Sequence, residues 1–303
     1  MLIVLGDTPQ TLEVQKCAIE RKSIGNDEPV SRITLPCGQC TGCRLERSRQ
    51  WAIRCSHEAS LYDENSFITL TYKDDALPPY GSLQKAHFQK FMKRLRKANP
   101  GRKIRYYHCG EYGDDLGRPH YHACLFNYDF PDRVLFKETG ETKLYSSKTL
   151  ERLWPFGFST IGDVTFKSAA YVARYVMKKV TGRKSEEHYS VVDEKTGEII
   201  LRQPEYTTMS LKPGIGAGWY EKWSSDVYPS DEIIIEGRSI KPPRFYDNKY
   251  ELTNPKEFNL IKMEREQHAE DHADDNTPQR LGVREQVHHA QLRNLKRNFE
   301  DEK

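Results

Sequence analysis

The stretch "IRYYHCGEYGDDLGRPHYHACLFN", residues 104–127, sets two aromatic and apolar runs around the polar segment "GDDLGR". Each run is long enough for a strand, and the glycines and aspartates between them supply turn chemistry, so the stretch reads as a β-hairpin. Side chains alternate across a strand, which puts His120 and His122 on one face. Glu111 precedes the turn with no salt-bridge partner beside it in the strand, and a hairpin can return it opposite the histidines. Two imidazoles and one carboxylate leave coordination positions open, as a catalytic ion requires and a closed structural site does not. A His-x-His pair is also compatible with two satisfied strand residues.

Upstream, "FITLTY" (67–72) has β-branched and aromatic residues in succession and reads as a strand. Leu83, Phe88, Phe91, Met92 and Leu95 then mark one face of a helix that Asn99-Pro100-Gly101 stops. The run from Gln84 to Arg105 contains no acid, and its Lys85, Lys90, Lys93, Arg94, Arg96, Lys97, Arg102, Lys103 and Arg105 form either a polyanion footprint or a solvated face. Tyr106, Tyr107 and Trp154 are candidates for stacking on bases or for burial.

Downstream, "GFSTIGDVTF" (157–166) reads as a strand, and "SAAYVARYVMKKV" (168–180) as a short helix with Ser168 as N-cap. "HYSVVDEKTGEIILRQ" (188–203) reads as a hairpin turning at Lys195-Thr196-Gly197, and "MSLKPGIGAGWYEKW" (209–223) as a loop entering a helix. From about Leu252 the chain is highly charged and reads as a helical or partly disordered tail. Short strands, helices and hairpins together predict an α+β fold: a central, mainly antiparallel sheet of about five strands flanked by helices. The expected organisation is a cysteine-rich element with its helix (1–62), a central domain (63–250) and the charged tail (251–303).

With 303 residues, 37% hydrophobic, 30% charged and a net charge of only +3, the bulk numbers favour no partner; local charge does. No apolar run approaches the roughly 18 to 20 residues of a membrane span, and the N-terminus lacks the basic flank of a secretory signal. The expected setting is cytosolic, with the seven cysteines reduced or metal-bound. Cys37, Cys40 and Cys43 have the C-x2-C-x2-C spacing of a structural Zn2+ site lacking its fourth ligand. Cys17 is the first choice for that ligand and Cys55 or His57 the alternatives; core thiols and an iron–sulfur cluster compete with zinc. Cys109 and Cys124 read as small core residues.

Tyr171 and Tyr175 lie four apart, on one face of a helix, with Lys178 and Lys179 a turn further on. A phenol is a poor nucleophile at its free pKa of about 10, and adjacent cations favour its phenolate. Two tyrosines in tandem suit successive strand transfers, whereas an amphipathic helix would use both as core aromatics.

In this order, "FITLTY", "RPHYH" and "YVARYVMKK" resemble the three motifs of HUH endonucleases, most of all the rolling-circle replication initiators of Microviridae phages of the gokushovirus-like branch. "PCGQCTGCR", "RQWAIRCSHEA", "CGEYG" and "GIGAGWYEKW" extend the resemblance over about residues 36–246. It implies that His120 and His122 bind Mg2+ or Mn2+ with Glu111 as third ligand, Asp114 and Asp115 being rival acids. It further implies that Tyr171 and Tyr175 are the paired nucleophiles and Lys178 or Lys179 the accompanying lysine. The implied reaction nicks and rejoins single-stranded DNA at the phage origin through a 5′-phosphotyrosine link, in the host bacterial cytoplasm. Nothing in the chain resembles a Walker loop, so a host helicase and polymerase are the expected partners. A non-catalytic zinc-dependent single-strand binder and an HUH transposase or relaxase are the alternatives.

Overall fold

Arg105–Tyr112 and Pro119–Phe126, strands β4 and β5 in chain order, pair antiparallel, with Glu111 opposite His120 and Cys109 opposite His122. This computed structural model describes residues 18–21, 33–38, 40–113, 116–140, 142–174, 179–180, 182 and 184–294. Cys17, Asp114, Asp115, Tyr175 and Lys178 lie outside the described residues. The chain divides into two units, one spanning Ser48–Lys249 and the other combining the residues up to Arg47 with those from Tyr250 onward.

In the larger unit, β4 and β5 belong to a seven-stranded antiparallel sheet. Its other strands are β3 (Asn65–Thr71), β6 (Val134–Thr139), β7 (Thr142–Ser146), β8 (Ser159–Gly162) and β11 (Tyr206–Met209), in the order β11-β4-β5-β3-β8-β7-β6. Seven strands replace the expected five. The hairpin β6–β7 lies in a charged, largely exposed stretch without a buried alternation, and β11 lies where only a loop was expected.

Strands β3, β4 and β5 are buried at nearly every position, because helices cover both sheet faces. On one face, α2 (Lys85–Ala98) lays Phe88, Phe91, Met92 and Leu95 over Ile68, Leu70, Tyr121, Ala123 and Leu125. This i, i+3, i+4, i+7 spacing makes a single apolar stripe. Helix α3 (Lys148–Leu153) joins the same core through Leu150 and Leu153 and is capped by Ser147, whose Oγ accepts from the Leu150 N–H at 3.1 Å. On the other face, α1 (Thr41–Ala59) stacks Trp51 on Tyr107 with centroids 4.8 Å apart. Helix α4 (Phe166–Arg174) packs there as well, its Tyr171 ring edge-on to Phe67.

Helix α4 begins two residues before the expected N-cap. Thr165 is the cap: its Oγ1 accepts from the Ser168 N–H at 3.1 Å, while Ser168 Oγ accepts from the Thr165 N–H at 2.8 Å. This is a reciprocal capping box with serine in the acid's usual place. Gly157 is demanded by close approach, since a Cβ there would lie 2.4 Å from the Thr71 carbonyl oxygen. The β3 backbone instead continues its pairing there, Thr71 donating to the Phe158 carbonyl and Lys73 to that of Phe156.

The stretch 209–223 is structural. Glu58 and Arg105 form a buried ion pair, 2% and 4% exposed. The second Glu58 oxygen accepts from the Gly216 N–H at 2.7 Å, and Arg105 donates to the Pro213 carbonyl at 2.8 Å. Gly216 has a φ of +79°, and a Cβ there would meet the Tyr246 hydroxyl at 2.7 Å, so only glycine fits. The loop leads into α6 (Ala217–Trp223), after α5 (Lys184–Tyr189) and the separate hairpin β9 (Ser190–Val192) and β10 (Ile199–Leu201), which turns as expected through Gly197 at φ +74°.

His57 stacks on Trp219 with centroids 3.5 Å apart, and its Nδ1 lies 2.9 Å from the Tyr246 hydroxyl. Burial lowers its pKa from 6.5 to about 4. Between those values the unfolded chain binds a proton that the fold refuses, so stability is full above pH 6.5 and falls as the pH drops towards 4. The whole effect is worth about 3 kcal/mol. In urea unfolding, wild type is expected to lose its lead over His57→Gln as the pH falls from about 7 to 5; a constant difference would contradict this.

In the smaller unit, β1 (Ala18–Arg21) pairs antiparallel with β2 (Ile33–Pro36). A further ribbon, β12 (Ile233–Ile235) with β13 (Arg238–Ile240), precedes α7 (Arg244–Thr253) in the chain. The tail is helical, α8 (Pro255–Asp271) and α9 (Pro278–Asn294), and buries Phe258 and Ile261. Among the described residues, no helix is long and apolar enough to cross a membrane.

Candidate metal centre

The β4–β5 register and strand alternation bring Glu111, His120 and His122 to one face, and Thr69 of β3 stands opposite His122 on that face. His122 Nδ1 lies 2.9 Å from Thr69 Oγ1, and His120 Nδ1 lies 3.1 Å from the Arg118 carbonyl oxygen. Arg118 is itself tied down, donating to the Tyr72 carbonyl at 2.8 Å and to Asp74 at 2.6 Å. With both Nδ1 atoms held from behind, both Nε2 atoms converge on Glu111 Oε1, at 2.6 Å from His120 and 3.0 Å from His122.

The donor set fits a cation. A carbonyl can only accept, so His120 Nδ1 carries the hydrogen and a neutral ring has its lone pair on Nε2. Two acceptors 2.6 Å apart repel unless a proton or a metal ion lies between them. Two coordinate bonds of about 2.1 Å meeting at a right angle separate N and O by about 3.0 Å, close to the spacing found. Burial alone would raise the Glu111 pKa, but hydrogen bonds to His120 and His122 outweigh it and hold the carboxyl below the usual range. The third ligand is thus an anion despite being 1% exposed. His122 is fully buried while His120 is 14% exposed, so solvent reaches the group from the His120 side.

Tyr171 comes to this centre from α4. Its ring meets His122 edge-on, with centroids 5.2 Å apart at 84°. Phe67 lies parallel to the His122 imidazole with centroids 5.8 Å apart. The Arg174 guanidinium carbon lies 5.9 Å from the Tyr171 ring centroid, next to the phenol. Lys179 is exposed, five positions beyond the last residue of α4.

The basic run divides. Lys85, Lys90, Lys93, Arg96, Lys97 and Lys103 are exposed. Arg94 is turned inward onto the Leu153 carbonyl at 2.6 Å, Arg102 pairs with Glu64, and Arg105 is the buried partner of Glu58. Helix α2 covers the sheet face opposite the histidine pair, so its lysines do not flank that group as the linear sequence suggested. Tyr107 and Trp154 are fully buried and take no part in base stacking; Tyr106 is half-buried against Phe88. Cys109 and Cys124 are core residues, as expected.

Cys37, Cys40 and Cys43 bring their sulfurs within 4.8 Å of one another. Cys55 and His57 are not their fourth partner. Both lie further along α1, and the twelve residues from Cys43 to Cys55 correspond to about 18 Å of helix.

Sequence reasoning missed Thr69, Arg118 and Arg174. Thr69 sits inside "FITLTY", but its role depends on β3 lying next to β5, which no local pattern records. Arg118 acts through its carbonyl, and a backbone atom leaves no residue-type signal.

A family model for the replication-associated protein ORF2 matches residues 65–180, a stretch that holds the hairpin and the tyrosine helix. Replication-associated protein VP4 of Bdellovibrio phage phiMH2K is 34% identical over 239 residues, covering 76% of this chain and 71% of that protein. Replication-associated protein ORF2 of Spiroplasma virus 4 is 36% identical over 261 residues, covering 80% and 77%. Replication-associated protein ORF4 of Chlamydia phage 1 is 36% identical over 153 residues, covering 48% and 38%. No solved structure matches the chain.

Proposed function

We propose that this chain, which belongs to the phage replication-associated proteins, initiates rolling-circle replication by nicking and rejoining single-stranded DNA at the phage origin. The observation that carries the reading is the convergence of two imidazole Nε2 atoms on one carboxylate oxygen, with the Tyr171 ring against one of those imidazoles. We assign the chemistry to 63–250, with Glu111, His120 and His122 as ligands, Tyr171 and Tyr175 as nucleophiles, and Lys178 or Lys179 as the accompanying cation.

Mg2+ or Mn2+ bound by these ligands would withdraw charge from a non-bridging phosphate oxygen. Thr69 and the Arg118 carbonyl fix both imidazoles so that their Nε2 atoms face the ion. The tyrosine hydroxyl attacks phosphorus in line. A phosphorus–phenol oxygen bond forms, the bond to the upstream 3′ oxygen breaks, and the phenol proton ends on that oxygen. The 5′-phosphotyrosine link keeps the phosphodiester energy, so rejoining by attack of a 3′ hydroxyl needs no nucleotide hydrolysis. The second tyrosine repeats the step on the regenerated origin. The exposed Lys85, Lys90, Lys93, Arg96, Lys97 and Lys103 would hold DNA phosphates on the opposite face of the sheet, a salt-sensitive contact. A host helicase and polymerase would act on the product in the bacterial cytoplasm.

The test is incubation with an origin-bearing single-stranded oligonucleotide and Mn2+. An adduct that survives SDS and disappears with EDTA is expected; binding without an adduct would leave a non-catalytic binder. Thr69→Val keeps the side-chain shape but frees His122 Nδ1, and is expected to weaken Mn2+ binding roughly ten- to hundredfold. Raised Mn2+ should restore its nicking; loss of activity at every Mn2+ concentration would contradict an orienting role.

A further inference from the structure

We propose that Cys37, Cys40 and Cys43 hold a single Zn2+ ion at the start of α1, a site separate from the histidine group. The three cysteines are half-buried, whereas Cys55, Cys109 and Cys124 are fully buried, so core packing does not account for them. Gly38, at φ +71°, turns the chain between the first two. Cys40 is the N-cap of α1: its carbonyl accepts the Arg44 N–H at 3.0 Å. Its sulfur accepts the Cys43 N–H at 3.5 Å, and the Cys37 sulfur accepts the Cys40 N–H at 3.3 Å. Backbone donors aimed at sulfur, at the positive end of a 19-residue helix, favour thiolates over thiols.

The sulfur spacing chooses the metal. Two zinc–sulfur bonds of about 2.3 Å at the tetrahedral angle put sulfurs about 3.8 Å apart, within the 4.8 Å found here. In a cubane iron–sulfur cluster each cysteine holds a different iron, so an iron–iron edge is added to the two bonds and the sulfurs spread further. Among the described residues no other histidine, cysteine or carboxylate joins the three.

The full-length protein, isolated without added metal and treated with EDTA, is expected to retain about one zinc per chain by elemental analysis. Cys40→Ser and Cys43→Ser should each lose it, while His120→Ala should keep it. Replacing zinc by Co2+ in the wild-type chain should give the intense visible bands and sulfur-to-metal charge transfer of a tetrahedral thiolate site, a readout independent of whether the variants fold. Iron with acid-labile sulfide, the absence of stoichiometric metal, or zinc lost in His120→Ala but retained in Cys40→Ser would overturn the assignment. Adduct formation at the origin is a separate readout and can fail without touching this one.

Discussion

Replacing His120 or His122 by alanine is expected to lower the nicking rate by three decades or more while leaving single-stranded DNA binding within a few-fold of wild type. A bound cation supplies several kcal/mol of transition-state charge stabilisation, and each 1.36 kcal/mol is a factor of ten in rate. Each imidazole also offsets the charge of Glu111, which is buried and ionised. His122→Ala therefore strands a carboxylate and opens a cavity, and some lost stability will accompany the lost activity. His120 is partly exposed, so its removal is the cleaner variant. The comparison is single-turnover cleavage of the origin oligonucleotide over a Mn2+ titration, with a circular-dichroism melt for each variant. A His120→Ala protein that melts normally and still nicks at more than a tenth of the wild-type rate would remove the cation from the chemistry.

The second large effect concerns the fold that carries the site. Glu58→Ala should cost about 3–5 kcal/mol, because it leaves the Arg105 guanidinium buried without its counter-charge. The Gly216 N–H would lose its acceptor in the same step. Glu58 links α1, the start of β4 and the glycine-rich loop, so the loss should be felt cooperatively across all three. Replacing Glu58 and Arg105 together by methionine should recover part of the loss, since two apolar side chains strand no charge. Urea unfolding followed by tryptophan fluorescence gives both values. A loss below about 1 kcal/mol for Glu58→Ala would mean that water screens the pair, as at a surface bridge.

The hairpin was legible because both signals were local: turn residues at Gly113 and Gly117, and His120 and His122 in a run of strand formers. Once the turn is fixed, register follows, and Glu111 falls opposite His120. The stripe of α2 was legible for the same reason, but which sheet face it covers is a long-range fact, and the basic surface was therefore expected beside the histidines. The hairpin β6–β7 escaped because exposed Val134, Leu135 and Phe136 and their charged neighbours give no buried alternation. Ser168 was read as a cap because it has the right chemistry; Thr165, three residues earlier, has the same chemistry and the right backbone position. Arg105 looked like one more phosphate contact, and only its pairing with Glu58 shows why a lone arginine opens a buried strand.

Peptide mapping of the covalent adduct tests the central claim most directly. Trypsin cuts after Lys167 and Arg174, so Tyr171 and Tyr175 fall in different peptides. After nuclease trimming, mass spectrometry should find the residual nucleotide on the peptide from Ser168 to Arg174 or on the one that begins at Tyr175. A nucleotide found on any other tyrosine, or an adduct that persists when both tyrosines are phenylalanine, would contradict the account.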